Sequence, residues 1–181
     1  MIARAEPWQT AEVSGLTRAV PVIKPEVVIA AIKKSKRPIL IVGHEAASVD
    51  LEQGKPIDYA IQIAELKGAQ IVATAHVIGE FIQRGFNRAS WMPIMDISNR
   101  LRDPDWQGLD GQGQYDLVLL IGFQYYLEWV ILSGFKHFAP HLKTISLGRY
   151  HQPHSNWSFP NVTPIDWERQ LKSIVKQLKE K

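Results

Sequence analysis

The sequence predicts an α/β fold, a parallel sheet covered by helices on both faces, and three observations lead there. The runs PILIVG (38–43) and YDLVLLIG (115–122) are continuously apolar, the pattern of strands buried on both faces. Each is followed by segments in which apolar residues recur at helical spacing. This alternation then repeats through residues 25–181, as a doubly wound, Rossmann-like sheet requires.

The elements follow in order. Residues 1–24 show no sustained period and read as an extended arm that needs a surface to lie on, set against a single domain over 25–181. The segment KPEVVIAAIKKSKR opens with Pro25 and Glu26, suited to the first helical turn. It closes on a cationic cluster that complements the negative end of a helix dipole. After the 38–43 strand, Ile57, Ala60, Ile61 and Ala64 lie at i, i+3, i+4 and i+7, and Gly68 stops the helix. AQIVATA (69–75) reads as the next strand and HVIGEFIQRGF as a short helix. Residues 87–114 are rich in turns, with one short apolar piece, MPIMDI. The 115–122 strand leads into a helix over FQYYLEWVILSGFKHF, and LKTISLG (142–148) is a further strand. The last helix has Thr163 as its cap and Pro164 at its first position, with Leu171, Ile174, Val175 and Leu178 on one face.

Composition narrows the chemistry. In 181 residues the formal charge is only +3, and KKSKR is the one notable basic run, so nucleic acid is not an expected partner. There is no cysteine, which removes disulfides, thiolate zinc sites and cysteine-ligated iron–sulfur clusters. MIARAEPWQTAEV lacks the apolar core of a signal peptide, and no apolar run reaches spanning length. A cytoplasmic protein without membrane association is the expectation.

Two clusters invite a site reading. DPDWQGLDGQGQYD (103–116) holds three glycines and four aspartates. Its glycines precede a strand, whereas a dinucleotide loop leaves a strand and opens a helix toward the pyrophosphate. As a calcium loop it lacks the bidentate Glu at position 12, where Gln114 stands. Turn chemistry accounts for it. His151 and His154 form an H-x-x-H pair with no third ligand nearby, and a surface loop with two exposed histidines is expected. No nucleophile elbow or three-ligand set can be assembled, so neither catalytic nor metal-binding residues are predicted.

In a doubly wound sheet, ligands bind beyond the carboxyl ends of the strands. The positions to watch are therefore Gly43 and His44, residues 74–76, Gly122 and Phe123, and Gly148 and Arg149. Single glycines there permit close backbone approach to a ligand, or simply a tight turn. The 123–138 helix is apolar in nearly every direction, from Tyr125 through Trp129 to Phe135. A helix covering one sheet needs one apolar stripe, so its outer side calls for a cover, and a second subunit is the favoured one over the N-terminal arm.

The run DPDWQGLDGQGQYDLVLLIGFQYYLEWVILSGFKHF, together with PEVVIAAIKKSKRPILIVG, resembles the epsilon subunit of the archaeal acetyl-CoA decarbonylase/synthase complex. The likeness extends from about Pro25 to the region of Asn161. It implies the NAD/FAD-binding type of Rossmann-like sheet found in the central domain of thiamine-diphosphate enzymes. It also implies an accessory role in the one-carbon metabolism of methane-forming archaea. The expected partner is the nickel–iron–sulfur alpha subunit of carbon monoxide dehydrogenase, in an α2ε2 component of the larger complex. No tightly bound cofactor is expected; FAD, serving electron transfer, is the candidate, with Gly43, His44, Gly122, Phe123, Gly148 and Arg149 to hold it. One departure bears on that role: Glu45 follows the first strand, where it competes with a phosphate for a helix N-terminus.

Overall fold

The computed structural model describes residues 5–180. In chain order they form α1 (Pro7–Thr10), β1 (Val20–Pro21), α2 (Glu26–Lys34), β2 (Pro38–Val42), α3 (Glu45–Ser48), α4 (Pro56–Lys67) and β3 (Gln70–Ala73). A 3-10 turn (Ala75–Val77) then leads into α5 (Ile78–Gln83), β4 (Ser90–Trp91), α6 (Ile94–Arg102), β5 (Leu117–Ile121), α7 (Tyr125–Phe138), β6 (Lys143–Ser146), β7 (Trp157–Ser158) and α8 (Pro164–Lys179).

All seven strands pair in parallel, in the order β1-β7-β6-β5-β2-β3-β4. β2 and β5 are buried along their whole length, which is why their sequences are continuously apolar rather than alternating. Alternate residues still serve opposite layers. Leu40, Val42, Leu117, Leu119 and Ile121 pack in the core shared with α2, α4 and α8. Ile39, Ile41, Val118 and Leu120 face the core beneath α6 and α7.

From β2 the chain winds outward to β3 and β4, then returns through α6 to place β5 on the other side of β2. That reversal makes β2/β5 the topological switch point, where a crevice opens beyond the strand ends. The local stops obey sequence chemistry. Gly68 ends α4 in the left-handed region (φ 69°), and the Thr163 hydroxyl accepts from Asp166 N (3.2 Å) at the start of α8.

Two expectations change. Residues 5–24 are not uniformly extended: Pro7 starts a helical turn, fixed by Glu6 N donating to Gln9 Oε1 (2.7 Å), and Val20–Pro21 joins the sheet edge beside β7. MPIMDI is not an isolated apolar piece but the opening of α6, which buries Ile97, Ser98 and Leu101. The 103–116 segment is a hydrogen-bonded scaffold at the amino-terminal end of β5. Asp110 pairs with Arg37 (2.6 Å) and accepts from Gln70 (2.8 Å), while Asp116 accepts from Ser35 Oγ, Lys36 N and Arg37 N. Asp103, Asp110 and Asp116 are acceptors for this chain's own donors.

Candidate functional site

At the switch point the β2 and β5 strands end in Gly43 and Gly122, and the two turns touch through their backbones. Gly43 N donates to Ile121 O and Glu45 N to Gly122 O, both at 2.9 Å. A Cβ on Gly43 would stand 2.3 Å from the Gly122 carbonyl oxygen, and one on Gly122 (φ 80°) 2.3 Å from Ala46 N. Both glycines are thus demanded by each other's turn. α3 is only one turn long, and its leading amides, Glu45 N, Ala46 N and Ala47 N, already donate to Gly122 O, Gly43 O and His44 O. A phosphate would find no free backbone donor among these three, which leaves side chains to do any ligand binding there.

Beyond these turns lies a cleft of 620 Å³, within the range of small-molecule sites. His44, Gly122 and Phe123 line it, as do Glu45, Thr74 and Trp91. The Thr74 hydroxyl is turned inward, donating to Val42 O (3.1 Å). Gly43 lies beneath the wall, shielded by Phe123. Of the six predicted residues, three line this opening and Gly43 lies behind its wall. Gly148 and Arg149 instead line a neighbouring cavity of 70 Å³, which shares Glu45, Gly122 and Phe123 with the cleft. Arg149 is engaged there, its guanidinium over the Tyr150 ring (4.3 Å) and bonded to the Tyr150 hydroxyl.

The small cavity contains a residue that sequence reasoning missed. Glu128 projects from α7, is 3% exposed, and leaves Oε1 without a hydrogen-bond partner. Burial pushes its carboxyl up to about 8; the Ser146 hydroxyl opposes that rise and the nearby Glu45 adds to it. Gln152, also buried, donates Nε2 to Tyr125 O (3.1 Å) and leaves Oε1 unpartnered. The available signal was a single acid inside an otherwise apolar stretch, YYLEWVIL. Trp91 and Ile94 in the cleft wall were equally missed, because β4 and α6 were not anticipated, while Leu127 stands on the anticipated α7.

The histidines are not exposed. His151 and His154 are 4% and 3% accessible. The N-terminal arm covers the first: Gln9 donates to His151 O (3.3 Å) and pairs with the Asn161 side chain. Trp129 covers the second, edge to ring at 4.4 Å. The arm also covers part of α7, with Trp8 against Tyr125 (5.3 Å) and Lys136 donating to Ser14 O (2.7 Å). Tyr126, Val130 and Phe138 of α7 stay exposed. Among the described residues no three His, Cys, Asp or Glu side chains are grouped to hold a metal ion, and no helix is long and apolar enough to cross a membrane.

Sheet order, parallel pairing and a crevice at the β2/β5 switch define a Rossmann-like α/β protein. Among such proteins, the chain belongs to the family described as CO dehydrogenase beta subunit/acetyl-CoA synthase epsilon subunit, whose model matches residues 2–176. It is 33% identical over 171 residues to the acetyl-CoA decarbonylase/synthase complex subunit epsilon of Methanothermobacter thermautotrophicus, covering 94% of this chain and 95% of that one. The corresponding subunit epsilon 1 of Archaeoglobus fulgidus is 37% identical over 149 residues, 82% of this chain and 78% of the other. Among solved structures, the CurK enoyl reductase aligns with a TM-score of 0.42 at 19% identity, over 82% of this chain and 43% of that chain, too distant to carry a functional argument.

Proposed function

We propose that this chain is a non-catalytic accessory subunit that binds and stabilises the alpha subunit of a carbon monoxide dehydrogenase, in an α2ε2 component of an acetyl-CoA decarbonylase/synthase complex. The observation that carries this reading is the match, over nearly the whole chain, to proteins named as epsilon subunits of that complex. The absence of cysteine agrees with it, since the iron–sulfur clusters must then belong to another chain. The exposed Tyr126 and Val130, one helical turn apart on α7, supply an apolar face for a partner. The test is capture of a separately purified alpha subunit by the full chain. Association at micromolar protein is expected, and none at that concentration overturns the proposal.

A second reading is favoured by the cleft itself: a flavin site, with FAD lying along His44, Gly122 and Phe123 and assisting electron transfer with the alpha subunit's clusters. The cleft's volume and its aromatic walls, Phe123 and Trp91, suit an isoalloxazine ring. Because the three leading α3 amides are taken, the pyrophosphate would be held by other groups of the cleft or by the partner. FAD is titrated first against the full chain alone and then against its complex with the alpha subunit. Saturable quenching of flavin fluorescence in either supports this reading, and its absence in both ends it.

A further inference from the structure

At the other end of the sheet from the cleft, beside the starts of β6 and β7, lies a pocket of 350 Å³. It is closed on one side by residues 15–17 of the N-terminal arm. Its polar lining includes Lys136, His137, Lys143, Thr144, His154 and Asn156, and no Asp or Glu contributes to it. Neither Lys136 nor Lys143 makes an ion pair among the described residues. Lys136 spends one of its three N–H donors on Ser14 O (2.7 Å). Asn156 spends its Oδ1 on Thr144 N (2.8 Å), so its amide has only N–H donors left to offer.

A second observation is independent of this charge. His154 is 3% exposed, and both its ring nitrogens lack a hydrogen-bond partner. A neutral imidazole has one donor and one acceptor to satisfy, and leaving both unmet in a buried site costs free energy. Its protonation is held down to about 4, first by burial and then by the unneutralised charges of Lys136 and His137. Arg18 in turn adds to the positive field at Lys136. The charged side chains that line this pocket are cations, and none of them makes an ion pair among the described residues.

We infer that this pocket is a binding site for a phosphate-class anion, either free phosphate or pyrophosphate or the phosphate group of a larger molecule, held by Lys136, Lys143, His154 and the Asn156 amide. Ammonium groups serve phosphate as point charges from several directions, whereas a planar carboxylate is matched best by an arginine fork, which the pocket lacks. The volume exceeds that of a single phosphate and leaves room for a second one or for an organic substituent. The site goes beyond both readings above, since it shares no residue with the cleft and needs no partner subunit.

The test titrates inorganic phosphate and then pyrophosphate into the isolated full chain at low ionic strength, by calorimetry and by the His154 ring resonances. Saturable binding is expected, with the His154 pKa rising from about 4 toward the ordinary histidine value as the anion supplies the missing counter-charge. Lys143→Met removes a cation from an exposed strand position and should weaken binding about tenfold without unfolding the chain. Lys136→Met should do the same, with some loosening of the arm at Ser14. Tighter binding of pyrophosphate than of phosphate points to a larger ligand, and equal binding to the free ion; either result supports the site. No saturation by millimolar anion overturns it, as does binding that Lys143→Met leaves unchanged. Binding of a hexaglutamate peptide in place of both phosphates also overturns it, by assigning the pocket to an acidic protein segment.

Discussion

Glu128 shows what one side chain can reveal at the residue scale. Its carboxyl is raised from 4.5 to about 8, first by burial, so the folded state holds a proton that the unfolded chain has released. The sign follows from linkage: below about pH 4.5 both states are protonated and nothing is lost. As pH climbs toward 8 the folded state is progressively penalised, on the order of 3 kcal/mol by pH 7, and above 8 the loss levels off. Urea denaturation at intervals from pH 5 to 9 should show this decline, and Glu128→Gln should flatten it. An unchanged slope in the variant would assign the pH dependence to another group. The glycines give a sharper contrast. Gly122→Ala must adopt φ 80° and bring Cβ to 2.3 Å from Ala46 N, so a loss of about 3 kcal/mol or more is expected. At Gly148 the nearest atoms to a Cβ are at 3.5 and 3.6 Å, an ordinary contact, and Ala should cost less than about 1 kcal/mol. Equal losses at the two sites would mean that the switch-point turns are not locked together as described.

Among the elements, what could be read in the sequence followed how much of each signal was local. β2 and β5 were legible because burial on both faces forces an unbroken apolar run. β1, β4 and β7 are two residues each, too short to show any period, and exist because a neighbouring strand offers its edge. α6 was hidden because its buried stripe includes Ser98, whose hydroxyl satisfies itself on Ile94 O (2.6 Å). The cleft was legible from topology alone, since the carboxyl ends of β2 and β5 must flank a switch point. The burial of His151 and His154 was not, because their covers, Gln9 and Trp129, are distant in sequence. The 103–116 stretch read as turn chemistry from its glycines and aspartates, but its staple of Asp110 and Asp116 to residues 35–37 needed coordinates. Trp106 packs on Tyr115 (5.7 Å), whose hydroxyl accepts from Leu109 N (3.1 Å), so the aromatic pair fixes the turn's shape. Trp106→Ala should therefore lower stability by about 2 kcal/mol in thermal or urea denaturation. Unchanged folding together with unchanged alpha-subunit capture would remove any structural role for the turn.

On the scale of the whole molecule, the distribution of apolar surface separates what the chain covers for itself from what it leaves to others. The arm and the 151–156 loop cover one side of α7 through Trp8, Ser14 and His154, so the chain supplies part of the cover that the helix composition demanded. Tyr126 and Val130 remain 68% and 54% exposed on the same helical face. Ile82 on α5 is as exposed, at 58%, but belongs to a different helix and serves as a control. Replacing both Tyr126 and Val130 with Glu should change folding stability by less than about 1 kcal/mol, because neither side chain is buried in the isolated chain. If α7 is the docking face, the same change places two carboxylates in a desolvated interface and should weaken capture of the alpha subunit at least tenfold. Ile82→Glu should leave capture intact. Equal capture by all three proteins would move the interface away from α7, while the comparison of their denaturation curves keeps a folding defect from being mistaken for a binding one.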